Sequence, residues 1–231
     1  PEHCNDNMEY YDLGLGILPE DETLRDSVFD AIPVTGTTHR GSWAMNYYAD
    51  GVPAGPLGGE IDETAYGAWT FWDHYAVTEN ETYLQEIYPA IRLVGDRLTE
   101  DCVDEETGLQ CPRPEDDNPE NTQTAVGGAS VYAGLDAAAK AAGEMYQLTG
   151  EESYAEDAAA YAERRDELRV AMDQYYWDDE AGRYGSGRVA FPAFVRPVDD
   201  QRMQRHFDSM WANVNETFSD ELDQGQYEAK N

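Results

Sequence analysis

The chain has 231 residues, of which 48 are acidic and 15 are basic, so its formal net charge at pH 7 is −33. Lys140 and Lys230 are the only lysines, and this scarcity of basic residues excludes a patch that would neutralise nucleic-acid phosphates. Hydrophobic residues make up 41% and aromatic residues 12% of the chain, which is enough for a core and argues against acidic disorder. An acidic, lysine-poor surface over a normal core indicates adaptation to high salt, where counterions screen self-repulsion.

Membrane and redox signals are sparse. No apolar segment approaches the roughly 20 residues that span a bilayer, and no signal peptide is visible.

Cys102 and Cys111 flank a turn, and a disulfide between them would close a loop of about ten residues, worth roughly 2 to 3 kcal/mol. Export permits such a bond, and the sequons at Asn80 and Asn215 agree with export, so we expect an extracellular or cell-surface protein. The remaining Cys4 and the scattered histidines have no zinc spacing, and we expect neither a metal nor a cofactor.

The first 60 residues are rich in Gly and Pro and predict loops, with one short helix near 23–31. A cluster of aromatic rings near position 45 precedes an Asp-Gly pair in this region. Flat rings beside carboxylates suit the faces and hydroxyls of sugars, and an arginine adds hydrogen-bond donors. The candidate sugar-binding residues are Arg40, Trp43, Tyr47, Tyr48 and Asp50. For Trp43, packing of the loop against the rest of the fold is an equally good expectation.

An internal repeat organises the middle of the chain. The segment from Tyr75 to Tyr83 recurs from Tyr146 to Tyr154 at a constant offset of 71 residues. Each copy joins two predicted helices, which span 63–77 and 81–98 in the first case and 122–148 and 151–175 in the second. Thr82 and Ser153 lie near the start of the second helix of each pair, where a hydroxyl can cap unpaired N–H groups. A second repeated segment, DEETG at 104–108 and DDEAG at 178–182, predicts a tight turn after each helix pair.

The two helices of each pair differ in character. The first is apolar almost all the way round, which is typical of an interior helix, and the second alternates charged and apolar residues in helical register. We therefore predict an all-α fold, an (α/α)6 toroid of helical hairpins with the apolar helices inside. Residues 1–231 are expected to form a single domain, since no linker is visible. They supply about three or four hairpins, including a helix at 199–218, so we expect the ring to be incomplete in this chain.

The acidic loop before the second apolar helix is the strongest candidate for chemistry. Glu115, Asp116, Asp117 and Glu120 crowd six positions, and Asn121 or Thr122 is expected to cap the helix that follows. Like charges this close favour a protonated carboxylic acid beside an ionised neighbour, as acid/base catalysis requires. The alternative is a solvated acidic loop. Asp62 and Glu63 are interpreted as helix-start residues that the dipole favours, and Trp69 and Trp72 as core.

Several segments together resemble a known family. They are GSWAMNYYADGVPAGPLGGEIDETAYGAWTFWDHY at 41–75, YLQEIYPAIR at 83–92, CPRPEDDN at 111–118 and the following QTAVGGASVYAGLDAAA. Over about 42–205 the chain resembles the glucoamylase-like glycoside hydrolases of family 15, of a haloarchaeal type. The resemblance implies an (α/α)6 barrel that removes glucose from the ends of an oligosaccharide or polysaccharide with inversion of configuration.

The resemblance also implies roles for residues. The family's general acid falls at Glu115 and Asp116, although Pro114 stands where the family has tryptophan, and Glu120 is the alternative. Tyr48 falls where the family has a substrate-contacting tryptophan. An inverting enzyme needs a general base about 6.5 to 9.5 Å from the acid. The family places that base on a late hairpin, and no residue up to Asn231 matches it.

Two other interpretations remain open. The chain could be a different α/α-toroid sugar enzyme, such as an unsaturated-uronide hydrolase or an epimerase, although His39, His74 and His206 show no pairing that an epimerase would use. It could also be a non-catalytic surface or scaffold protein that keeps the toroid and has lost the chemistry. The missing base and the missing tryptophan favour the scaffold over a generic enzyme.

Overall fold

The computed structural model describes the backbone of residues 44–47, 53–58, 60–115 and 118–223, and the side chains of residues 60–115 and 121–214. Most of these residues lie in helices, which confirms the all-α class. The helices are α1 (Ile61–Thr78), α2 (Glu81–Asp96), α3 (Ala125–Thr149), α4 (Glu152–Tyr175) and α5 (Gln201–Asp223). A π-helical turn, Arg97–Asp101, extends α2, and a short 3-10 helix covers Gly187–Val189.

Three small antiparallel hairpins accompany the helices. They pair β1 (Ala44–Tyr47) with β2 (Pro53–Gly58), β3 (Arg113–Glu115) with β4 (Asn118–Thr122), and β5 (Trp177–Asp178) with β6 (Arg183–Tyr184). In the second hairpin Arg113 lies opposite Thr122, and Glu115 lies opposite Asn118. This hairpin leads directly into α3, so it determines where the acidic loop meets the helix start.

The internal repeat appears in the structure with the predicted spacing. The helices α1 and α3 end at Thr78 and Thr149, and each threonine hydroxyl donates to the carbonyl four residues earlier, at 2.8 Å in both cases. The next residues, Glu79 and Gly150, adopt left-handed backbone angles with φ of 51° and 73°. Their N–H groups bond the carbonyls of Tyr75 and Tyr146. Both helices therefore stop by the same mechanism.

The starts of α2 and α4 differ from the prediction. Asn80 caps α2, since its side-chain oxygen accepts a hydrogen bond from the Tyr83 N–H at 3.1 Å. The residue before α4, Glu151, makes no side-chain cap bond. Thr82 and Ser153 lie near the starts of their helices as predicted, but each is the second helical residue, two positions after the N-cap, so their predicted capping role is wrong. Asn and Thr are both favoured at a cap, and the sequence pattern alone did not distinguish Asn80 from Thr82.

The second repeated segment, at 104–108 and 178–182, forms two equivalent turns. In the first, the Asp104 carboxylate accepts from the N–H groups of Glu106 and Thr107, and the Gly108 N–H donates to the Asp104 carbonyl. In the second, Asp178 accepts from Glu180 and Ala181, and Gly182 returns to the Asp178 carbonyl. The predicted tight turns are therefore present. Each one reverses the chain after an outer helix.

The helices α1 and α3 lie side by side and run in the same direction. A Cβ on Gly134 of α3 would come within 2.8 Å of the Ala65 carbonyl oxygen in α1, so only glycine permits this approach. Near the other end the Tyr75 hydroxyl donates to Glu144 at 3.0 Å. Both contacts join residues that are 69 positions apart. The small side chains of α3 let α1, α2 and α4 surround it, which buries Ala129, Val131, Leu135, Ala138, Ala141 and Ala142.

The outer helices are joined at a similar spacing. The Tyr88 hydroxyl donates to Asp157 at 3.0 Å, and the Tyr161 hydroxyl donates to the Arg92 carbonyl at 3.3 Å, each again across 69 residues. Arg92 also pairs with Asp157 at 3.0 Å. Neighbouring hairpins are thus connected through both layers.

Two further connections hold the segment between α2 and β3. A disulfide joins Cys102 and Cys111. Arg164 of α4, which is buried, donates to the carbonyls of Gly108 and Leu109 at 2.9 and 3.0 Å. Buried charged groups require such partners. The turn that precedes Glu115 is therefore fixed on both sides.

The two tryptophans of α1, predicted as core, are half-buried. Trp72 packs against the hydrophobic core, and both Trp69 and Trp72 line a groove of about 340 Å³ between α1 and α3. The fully buried positions of α1 are taken by Ile61, Ala65 and Ala68, because close approach to α3 leaves room only for smaller side chains there. Within the described part of the chain, every helix is too short or too polar to cross a bilayer.

Candidate functional site

Acidic side chains gather at the start of α1. Glu60 and Asp62 are buried, Glu63 is half-buried, and their carboxylate oxygens lie within 4.8 Å of one another. Arg188, from the 3-10 helix, pairs with Asp62 at 2.9 Å. The positive end of the helix dipole favours carboxylates at this position. Three oxygens at such distances are hard ligands of the kind a divalent cation prefers, but Arg188 already supplies a positive charge to Asp62.

Glu115 occupies the equivalent position at the start of α3. Its side chain is 2% exposed, and its oxygens accept hydrogen bonds from the N–H groups of Thr124 at 3.2 Å and Gly127 at 3.3 Å. The Thr124 hydroxyl donates to the same carboxylate at 2.5 Å, and the Gln110 amide donates at 3.2 Å. Buried carboxylates are stable only with such a set of donors. Every one of these bonds uses Glu115 as an acceptor.

Thr124 is the N-cap of α3. Its side-chain oxygen accepts from the Val126 N–H at 3.1 Å, and it also bonds Glu115. The prediction of Asn121 or Thr122 as the cap is wrong, because β4 runs through Thr122 and the chain turns into the helix two residues later. The shift moves the helix start toward Glu115. The free N–H groups of the first turn therefore point at the carboxylate.

A hydrogen-bond network of side-chain amides is connected to Glu115. Gln110 donates to the Thr124 carbonyl at 2.8 Å, and its own amide oxygen accepts from the Tyr176 hydroxyl at 3.2 Å. Gln123 donates to the Gln110 carbonyl at 2.7 Å and to Asp104 at 2.9 Å. Burial raises the pKa of Tyr176, so its hydroxyl stays protonated and acts as the donor. The network joins Glu115 to the end of α4.

A cavity of about 480 Å³ lies in front of this network, between the start of α3, the end of α4 and the β5–β6 hairpin. Its polar and aromatic lining comprises Gln123, Thr124, Tyr175, Tyr176, Asp178, Arg183 and Tyr184. The volume is in the range of small-molecule sites, and tyrosines beside polar groups offer ring faces together with hydrogen-bond partners. Thr124 belongs both to the cavity wall and to the Glu115 hydrogen-bond set. The carboxylate therefore lies directly behind the wall of the cavity.

The two acidic groups are on the same side of the fold. Because α1 and α3 are parallel neighbours, their first turns lie at the same end, and β3, which carries Glu115, lies against α1. Glu115 of β3 and the acidic group of α1 thus lie at the same end of the helix pair. Such an arrangement can accept hydrogen bonds from hydroxyl groups, transfer protons or bind a positive charge.

The structure accounts for the predicted site residues unevenly. Glu115 is placed as described above, and its catalytic role stays a prediction. Glu120 lies in β4 and Tyr47 in β1, where Tyr47 is opposite Pro53, and the side chains of both are outside the described residues. The other predicted residues, Arg40, Trp43, Tyr48, Asp50 and Asp116, also lie outside the described residues. The short helix near 23–31 and Cys4 do so as well.

Sequence reasoning missed several residues that the structure brings together. Gln110, Gln123, Tyr176 and Arg188 come from four separate segments, and no local pattern marks them. Gly127 carried a signal, because a Gly-Gly pair in the first turn of a helix is costly unless another group approaches closely. The chain matches no family model and no curated protein sequence.

Proposed function

We propose that the chain forms part of an (α/α) toroid that hydrolyses α-glucosidic bonds by acid/base catalysis. The observation that carries the proposal is the buried Glu115 at the start of α3, bonded to Thr124 in the wall of a cavity lined by tyrosines, with further carboxylates at the same end of the neighbouring α1. Glycoside hydrolysis uses carboxyl groups on either side of the scissile bond. The family resemblance of the sequence supports the same function.

The hairpin geometry supports the toroid. Two hairpins with the apolar helices on one side and the charged helices on the other repeat at an offset of 71 residues, as their helix boundaries show. Each further hairpin added with the same relation would extend the inner layer of parallel helices. Both acidic groups lie at the end of this layer where the inner helices begin.

In this proposal Glu115 protonates the oxygen of the leaving sugar. For that step the Thr124 hydroxyl, which lies in the cavity wall, gives up its bond to Glu115, and the glycosidic oxygen takes its place. The bonds from the N–H of Gly127 and from Gln110 remain and hold the side chain in position. For this step Glu115 must first take up a proton, which it then donates to the leaving oxygen, and the electrons of the broken bond stay with that oxygen. Water adds to the sugar carbon and gives its proton to a general base, a role that is assigned to none of the described residues.

The α1 carboxylates are assigned to substrate positioning. Asp62 is fixed by Arg188, whereas Glu63 is the member of the group that is not fully buried. A fixed carboxylate accepts hydrogen bonds from sugar hydroxyls and orients the ring. The Glu63→Gln change separates two roles. A positioning residue mainly raises KM, whereas a base that activates water would lower kcat for every substrate.

The test is hydrolysis of maltose, maltodextrin, trehalose and α-glucosyl fluoride by the protein at high salt. We expect Glu115→Gln to lower kcat on maltose by about 10²- to 10⁴-fold, and to affect the fluoride much less because fluoride leaves without protonation. Glu120→Gln is the matched control that distinguishes the two candidate acids. If Glu120→Gln lowers kcat on maltose and affects the fluoride much less, Glu120 and not Glu115 is the general acid.

The melting temperature distinguishes catalysis from anchoring. If Glu115 only anchors the helix start, Glu115→Gln lowers the melting temperature and reduces turnover of both kinds of substrate equally. If the wild-type protein hydrolyses none of the four substrates, the hydrolase proposal is wrong. The non-catalytic scaffold then becomes the better explanation.

A further inference from the structure

A second cavity, of about 360 Å³, lies between α3, α4 and the segment 194–198. Its charged and polar lining comprises Tyr132, Arg165, Arg169 and Arg196, and the remaining lining is apolar. It shares no residue with the cavity beside Glu115. Three arginines around one cavity are unusual in a chain that has only 15 basic residues against 48 acidic ones. This second cavity is therefore a candidate for an anionic ligand.

Two of the three arginines already have acidic partners. Arg165 pairs with Asp136 at 2.8 Å and with Asp166 at 3.0 Å. Arg196 pairs with Asp173 and with Asp200, the latter at 3.0 Å. Their donors are occupied, so they contribute shape and partly neutralised charge to the wall.

Arg169 differs from its neighbours. It is half-buried, and its guanidinium forms no ion pair or hydrogen bond with any of the residues that the structure describes. Arg165 lies one turn before it on α4 and is held in place by its ion pairs with acidic side chains. A guanidinium presents a planar set of donors that matches a carboxylate with two parallel hydrogen bonds. Its charge is available to a ligand in the cavity.

Tyr132 provides a second donor. Its ring is largely buried, and its hydroxyl has no hydrogen-bond partner among the described residues. Burial raises the pKa of Tyr132 although Arg165 and Arg169 act in the opposite direction, so the hydroxyl stays protonated. A protonated phenol beside a guanidinium donates to an anion and does not compete with it.

The rest of the cavity wall is apolar. It consists of Phe194, Val195, Pro197 and Val198, and Phe194 and Val198 are 53% and 55% exposed. Water occupies about 30 Å³ per molecule, so the cavity would hold a ligand of roughly ten non-hydrogen atoms. Asp136, Asp166, Asp173 and Asp200 stand behind the arginines and oppose a doubly charged phosphate. A single negative charge with an apolar part fits best.

We propose that this cavity binds a small organic carboxylate, whose carboxylate group bonds Arg169 and the Tyr132 hydroxyl and whose apolar tail packs on the segment 194–198. The proposal is independent of the hydrolase activity, because none of these residues belongs to the Glu115 site. It adds a second ligand site to the fold.

Calorimetric titration with hexanoate tests the proposal, with hexanol and inorganic phosphate as comparison ligands. We expect saturable one-to-one binding of hexanoate in the millimolar range, as for a single charge-assisted contact with a small apolar surface. Arg169→Gln should weaken binding by roughly tenfold or more, and Tyr132→Phe by about three- to tenfold. Hexanol and phosphate should bind more weakly than hexanoate.

Arg183→Gln is the matched control, since Arg183 also lines a cavity and forms no ion pair with a described side chain. It should leave hexanoate binding unchanged. If Arg169→Gln lowers the melting temperature, Arg169→Lys decides the question, because it keeps the charge and loses the planar donor set, so binding should be intermediate. Absence of saturable hexanoate binding, equal binding by Arg169→Gln, or equally tight binding of hexanol would overturn the proposal.

Discussion

Gly127 and Glu115 are in such close contact that a Cβ on Gly127 would lie 2.2 Å from the Glu115 Oε1 atom. No side chain fits there unless the carboxylate moves. Glu115 is also bonded to Thr124 and Gln110, so its movement would break several hydrogen bonds at once. The glycine and the carboxylate therefore form one structural unit at the start of α3.

The first prediction follows from this contact. Gly127→Ala should lower the free energy of unfolding by about 1 to 3 kcal/mol, because the added methyl displaces the buried carboxylate. Gly143→Ala is the matched control, since it lies in the same helix and a Cβ there meets no atom within 4 Å. That change should be neutral or stabilise by about 0.5 to 1 kcal/mol. Denaturant unfolding of both variants measures the difference, and equal effects would contradict the contact.

The second prediction concerns Asp173, which connects α4 to the segment before α5. It accepts hydrogen bonds from Tyr184 and Arg196, and it pairs with Arg202 at 3.3 Å. Burial acts to raise the pKa of Asp173, but the hydrogen bonds from Arg196 and Tyr184 and the charges of both arginines outweigh it and hold the pKa below its ordinary value. Asp173→Asn should reduce the free energy of unfolding by about 2 to 3 kcal/mol at neutral pH.

The pH dependence of this effect has a definite sign. Since the folded pKa is depressed, the stabilisation by Asp173 is complete above the unfolded value of about 3.9 and is lost as the pH falls through the folded value. The difference between wild type and Asp173→Asn should therefore shrink in acid. Asp199 is an exposed carboxylate two residues before α5, so Asp199→Asn should change the free energy of unfolding little at any pH. A constant difference between wild type and Asp173→Asn down to the most acid conditions would rule out the ionised network.

The third prediction concerns His206 on α5. Its ring is 1% exposed, it lies edge-on to Tyr184 at 5.8 Å, and neither ring nitrogen has a hydrogen-bond partner among the described residues. Burial, and then the charge of Arg183, lower the pKa of His206. The folded state therefore keeps the imidazole neutral. Stability is complete above the unfolded pKa of about 6.5 and falls as the pH drops below it, by up to about 1.4 kcal/mol per pH unit.

The variant His206→Phe isolates this contribution. Phenylalanine keeps an aromatic ring beside Tyr184 and cannot take up a proton. Thermal unfolding between pH 8 and pH 5 should show a smaller loss of stability in the variant than in the wild type. His74→Phe is the control, because His74 is exposed and its ring contacts that of Tyr83 at a tilt of 56°. If His206→Phe and the wild type lose stability in parallel, proton uptake by His206 is not the cause.

The fourth prediction concerns salt. With a net charge of −33, repulsion between acidic side chains should outweigh the described ion pairs when the screening length grows from about 3 Å at 1 M salt to about 30 Å at 0.01 M. Removal of salt should therefore lower the melting temperature and the helical circular dichroism signal. A neutral osmolyte that raises stability without screening serves as the control. Unchanged melting at low salt would argue against adaptation to high salt.

The sequence predicted the helical pairs because their signals are local. Apolar periodicity, the repeated Tyr-x-x-Thr segment and the Asp-to-Gly turns each depend on a few neighbouring residues, and the structure reproduces them at Thr78, Thr149, Asp104 and Asp178. Errors occurred where two residues compete for one role. Thr124 replaced Thr122 as the cap of α3, since pairing with Arg113 retains Thr122 in β4.

The candidate site was predictable only in part. Glu115 was identified from the crowding of acids, but the network around it was not. Gln110 bonds Glu115 across 5 residues and Tyr176 bonds Gln110 across 66, and the residue types at these positions do not indicate such contacts. Asp62 was interpreted as a helix-start residue, and its pairing with Arg188 spans 126 residues. Likewise, the composition shows that basic residues are rare, but it cannot show that Arg169 has no acidic partner among the described residues.

Three tyrosine hydrogen bonds that join the two hairpins each span 69 residues, and this has a consequence for how such a chain can change in length. Tyr75 with Glu144, Tyr88 with Asp157 and Tyr161 with Arg92 all use this spacing. An insertion in α3 before Glu144 would shift that residue away from Tyr75, and an insertion in α4 before Asp157 would shift the partners of Tyr88 and Arg92 along the helix. An insertion in the turn between the helices of a pair leaves the spacing within each helix unchanged. The turns, and not the helices, are therefore where the chain tolerates changes in length without losing the bonds between its hairpins.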